Sequence, residues 1–185
     1  MARMAGQKHP DMWVDPEDDP RSQEAVLGDE RATLLDYLRS YRLTLELKCS
    51  GLTAEQLATR SVPPSTLSLL GLVRHMAAVE RNWFRRTMAG EDVPRLYRTP
   101  DDRDADFNGA VGDDAVVEEA WARWREEVTH AEAFVDAAES LDLVSLDPHT
   151  RINLREVLVH MIEEYARHCG HADLLRECVD GATGQ

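Results

Sequence analysis

The chain has 185 residues, 43% apolar and 30% charged, which suits a packed domain and excludes wholesale disorder. Asp and Glu number 35 against 21 Lys and Arg, a net charge of −14 that repels phosphate backbones and anionic membrane surfaces. No apolar run approaches the ~20 residues that span a bilayer, and no signal stretch opens the chain. Cys49, Cys169 and Cys178 form no CxxC spacing. That suits a reducing compartment, so the expectation is a cytoplasmic protein that binds neither nucleic acid nor membrane.

Residues 1–24 read as an extended acidic arm, interrupted by Pro10, Pro16 and Pro20 and anchored by Trp13 and Val14. Residues 25–185 read as one domain with helical periodicity throughout. The first helix is expected from about Asp29 to Cys49, with Leu34, Leu35, Leu38, Tyr41 and Leu45 as its stripe and Gly51 beyond its end. Thr53 and Gln56 form a capping box for a short helix that Pro63 and Pro64 stop. A second long helix starts near Ser65 or Ser68 and ends at Gly90, with Leu69, Leu72, Met76, Val79 and Trp83 inward. An acidic loop over roughly Glu91–Gly112 follows; its length makes it either a lid or a solvated crossover. Asp113 or Asp114 caps a third helix to about Ser140, and Asn153 caps a fourth from Leu154 to about Val179, ended by Gly181. The predicted class is all-α: an antiparallel four-helix bundle with an N-terminal arm and a long acidic loop between its second and third helices.

A bundle interior is apolar, so an ionisable side chain on an inner stripe must be paired, satisfied or metal-bound. His75 lies between Leu72 and Val79 on the second helix, where it is either a hydrogen-bonded core histidine or a ligand. On the fourth helix Glu164 and His168 are four apart, one turn above each other, with His160 a turn earlier and His171 three later. Spacing of i and i+4 holds two donors ~6 Å apart, as paired ligands on one helix require. The bland alternative is an ordinary Glu–His pair on a solvated face. His9 falls in the arm, His149 in a loop and His130 on a more exposed face, which leaves His75 as the third donor. Two imidazoles and a carboxylate leave coordination positions open, a catalytic layout for zinc, nickel, iron(II) or manganese. His160 and His171 are supporting groups or alternative ligands. Gly170 either admits a close neighbour or packs a helix tightly.

Three strings carry a family likeness: Pro63 to His75, Val79 to Phe84, and Leu158 through His168 and His171 to Glu177. They resemble the DinB/YfiT-like superfamily of four-helix metalloproteins, in its mini-circle protein branch. The resemblance implies a metal site of His75, Glu164 and His168. It further implies a thiol-dependent S-transferase or isomerase in which a divalent ion, zinc first, activates a low-molecular-weight thiol of the mycothiol or bacillithiol type. The thiol and an electrophilic substrate are then its partners, and homodimers are common in the superfamily. Arg74, Arg155, Arg167 and Arg176 are either anion clamps or ordinary surface pairs. A metal-dependent hydrolase and a non-catalytic metal-binding stress-response module are the alternatives.

Overall fold

The computed structural model of the chain describes residues 13–21 and 28–184. Of the arm expected over residues 1–24, only 13–21 fall within that range. Trp13 there lies beneath two cations, with Lys48 Nζ 4.2 Å and Arg176 Cζ 5.0 Å from its ring centroid.

Capping chemistry sets the helix boundaries. Helix α1 spans Glu30–Cys49, and the Asp29 carboxylate accepts from the Ala32 N–H. In α2, Ala54–Ala58, Thr53 and Gln56 cap each other reciprocally, and the helix ends before the proline pair. The Ser68 hydroxyl starts α3, Leu69–Glu80. The same rod continues as wider, π-helical turns over Arg81–Met88 and stops before Gly90, whose φ is +65°. The acidic loop holds a one-turn helix, α4, at Ala105–Asn108. Helix α5 is Asp114–Ala137, capped by Asp113. Helix α6 is Leu154–Asp180, capped by Asn153 and ended by Gly181 at φ +79°, a left-handed turn that glycine adopts without strain.

The long helices pack as two pairs. Alongside α6, α1 runs in the same direction: Arg155 meets Glu30 at one end and Arg176 meets the Lys48 carbonyl at the other. In the same way α3 and its continuation run with α5, through Arg74–Glu119 and Arg85–Glu127. The two pairs are antiparallel: His75 faces His168 while Trp83 faces His160. Because α3 and α5 point the same way, the chain must return the length of the bundle between them. The segment 89–113 is that crossover; its α4 turn is held against α3 by Arg74 and His75, while Arg95, Arg98 and Arg103 are exposed. Leu38, Leu45, Leu69, Leu72, Met76, Phe84, Leu158, Met161 and Tyr165 are essentially inaccessible and form the centre. Each such side chain contributes on the order of 1.5–3 kcal/mol by leaving water. Among the described residues no helix is long and apolar enough to cross a membrane.

Gly170 does neither thing its position suggests. A Cβ built there meets nothing within 4 Å, so the glycine admits no neighbour and packs no helix. Gly170→Ala is therefore expected to stabilise the protein by roughly 0.5–1 kcal/mol, read as a higher urea midpoint at unchanged slope.

Candidate metal centre

Leu72, Val73 and Met76 bury α3 against the bundle and fix the face on which His75 stands. Val157, Met161, Ala172 and Leu175 do the same for α6, which turns Glu164 and His168 toward α3. One ligand atom from each of His75, Glu164 and His168 lies within 4.8 Å of the others. Their side chains keep 26%, 15% and 11% of their surface, so the cluster sits in the wall of the bundle, neither sealed nor in bulk water. The ring centroids of His75 and His168 are 4.8 Å apart, and His168 Nε2 is 3.3 Å from Glu164 Oε2.

Each member of the cluster is held from behind. The Asp106 carboxylate accepts from His75 Nδ1 at 2.8 Å, which leaves Nε2 for the site. Phe107 stacks on the same ring at 5.3 Å between centroids. Glu164 uses its other oxygen to accept from Arg167 at 2.9 Å, with His160 Nε2 3.6 Å away. His171 Nδ1 meets His168 Nδ1 at 3.2 Å, so one ring donates and the other accepts. Burial, and then the neighbouring His75, push the His168 imidazole down to about 4. It is thus a neutral lone-pair donor at neutral pH.

Of the remaining histidines, His130 and His149 stand apart from the cluster. His130, expected on an exposed face, is half-buried and pairs with Glu91 at 3.1 Å; His149 is exposed before α6; His9 lies outside the described residues. His160 is stacked edge-on against Trp83 at 4.7 Å. None of the four expected arginines is a free anion clamp. Arg74 is buried, donates to the Ala105 and Asp106 carbonyls, and lies over the Tyr97 ring at 3.8 Å. Arg155 is bound to Glu30 and Asp142 beside the start of α1. Arg167 belongs to Glu164, and Arg176 donates to the Lys48 and Ser50 carbonyls.

Asp106 and Phe107 are the site residues that sequence reasoning missed. Asp106 is one of several acids in a loop without periodicity, and only the crossover brings it to His75. Arg74 is what secures it, through the backbone carbonyls of α4.

Fold and site together define a helical bundle with a His–Glu–His cluster shared between two antiparallel helices. A model of the mycothiol-S-transferase family matches residues 33–181. The chain belongs to that family, a branch of the DinB-like superfamily. No curated protein matches the chain.

Proposed function

We propose that the chain is a cytoplasmic, metal-dependent mycothiol S-transferase whose ion is held by His75, Glu164 and His168. The observation that carries this reading is the convergence of three ligand atoms within 4.8 Å, each backed by a separate polar group. A carboxylate behind the ring, as Asp106 stands behind His75, is how metal-bound histidines are oriented. Two nitrogens and one oxygen suit zinc and leave room for a further ligand.

When bound, a divalent ion supplies positive charge that stabilises a thiolate beside it. The chain's own groups do the rest. Asp106 keeps the proton on His75 Nδ1, and burial keeps His168 unprotonated. Arg167 occupies the Glu164 oxygen that faces away from His168. His75 also lines a cleft of about 320 Å³, large enough for a small electrophile.

The test is turnover of a neutral electrophile, chlorodinitrobenzene, with mycothiol. The thiol sulfur forms a C–S bond, chloride leaves with the bonding pair, and the thiol proton passes to solvent. Thiol-dependent product formation that chelation abolishes is the expected result. Activity on esters or amides without any thiol would instead favour a metal-bound-water hydrolase.

Asp106→Ala separates holding from ligating. It removes no proposed ligand, yet it frees the His75 ring, and metal affinity is expected to weaken by about 10–100-fold. Competition with a chromophoric chelator measures this, with the far-ultraviolet spectrum unchanged.

A further inference from the structure

The cleft beside His75 is cationic, although the protein as a whole is strongly acidic. Five of the 21 basic residues line it, against two carboxylates, Asp104 and Asp106. Asp106 is already committed to His75. Of the five arginines, Arg81 is paired with Glu127, which it shares with Arg85. Arg86 donates to the Val93 carbonyl, a neutral acceptor. The side chains of Arg95, Arg98 and Arg103 have no hydrogen-bond or ion-pair partner among the described residues, and all three are exposed. Trp83 and Phe107 add flat apolar walls, and His75 lines the cleft beside them.

Unpaired guanidinium groups gathered around one concavity repel each other unless an anion occupies it. Their fork geometry matches an oxyanion in paired hydrogen bonds. We infer that this cleft selects electrophiles that are flat and carry an oxyanion group, bound by Arg95, Arg98 and Arg103 with the reactive carbon toward His75. This inference rests on the S-transferase reading and adds the substrate class to it. In such a substrate the thiolate sulfur bonds to carbon, the leaving group departs with its electron pair, and the thiol proton goes to solvent.

The experiment has a binding arm that needs no turnover. Dinitrobenzoate, an unreactive flat carboxylate, and neutral dinitrobenzene are titrated calorimetrically into the protein. The carboxylate is expected to bind about tenfold tighter or more, the scale of one charge-assisted hydrogen bond. That advantage disappears in the triple variant R95A/R98A/R103A and is kept only in part in R95K/R98K/R103K, which retains the charges but not the paired hydrogen bonds. Equal binding of the two probes, or an unchanged advantage in the alanine variant, overturns the inference. Mycothiol is then added to the dinitrobenzoate complex. Simultaneous binding assigns the arginines to the electrophile, whereas competition assigns them to the thiol and overturns the assignment. In the turnover arm, the kcat/KM ratio of chlorodinitrobenzoate to chlorodinitrobenzene, each corrected for its uncatalysed rate, falls about tenfold or more in the alanine variant. Absence of turnover with both electrophiles, alongside intact carboxylate binding, counts against the transferase reading and leaves the anion cleft standing.

Discussion

His75→Ala and His168→Ala are each expected to reduce bound metal from near one equivalent to a small fraction. Losing a ligand costs more than losing a group behind one, so affinity should weaken by more than about 100-fold. The two substitutions lie on different helices, α3 and α6, and share little beyond the cluster. Matching losses therefore point to one ion. Elemental analysis of the purified variants decides it, and wild-type metal in both would remove the basis of the proposed chemistry. Acidification gives a second reading on chelated protein. The His168 ring titrates near 6.5 when unfolded and near 4 in the fold. Between those values the unfolded chain binds a proton that the native state does not, so stability falls as pH drops from about 6.5 toward 4. His168→Ala should flatten that part of the stability profile.

How legible the molecule is in its sequence depends on whether a feature is local. The capping box at Thr53 and Gln56, the Asn153 cap and the Gly181 stop are local, and each is found where the residues predict it. The Glu164–His168 pair is local as well, since helical spacing alone puts both on one face. His75 becomes its partner because its apolar flank faces the same interior. Four features depend on distant contacts and were not legible. The crossover places Asp106 on His75 across 31 residues. The roles of Arg74 and Arg176 are set by carbonyls on other elements. The widened turns over Arg81–Met88 aim Arg81 and Arg85 at Glu127, and no periodicity announces them. Finally, Arg42, Glu80 and Glu127 are buried although charged residues are ordinarily exposed. A charge can be buried only beside its partner, and sequence does not name the partner.

Glu80→Ala is expected to be among the most damaging substitutions away from the cluster. Its carboxylate is fully buried and takes two bonds from Arg42, both 2.9 Å, and one from the Tyr165 hydroxyl at 2.8 Å. Trp124 in turn donates to that hydroxyl at 2.8 Å. Burial, and then the adjacent Glu80 charge, raise the Tyr165 hydroxyl well above its ordinary value, so it remains a donor. The chain of bonds joins α1, α3, α6 and α5 at one level. Removing the carboxylate leaves the buried Arg42 guanidinium only the exposed Glu132 carboxylate, 3.5 Å away, and leaves the tyrosine without its acceptor. Breaking one side of a buried pair in this way costs about 3–5 kcal/mol, whereas replacing both sides with apolar groups of similar volume is often close to neutral. Urea denaturation should thus show Arg42→Met/Glu80→Met to be more stable than Glu80→Ala alone. The same network fixes the site, because Tyr165 follows Glu164 and Glu80 lies on the helix that carries His75. Once it is broken, no other hydrogen bond among the described residues joins α6 to α3, and metal affinity should fall even though no ligand has changed. Should Glu80→Ala cost under about 1 kcal/mol, the ordinary scale of one exposed ion pair, the network is not what holds the two helices in register.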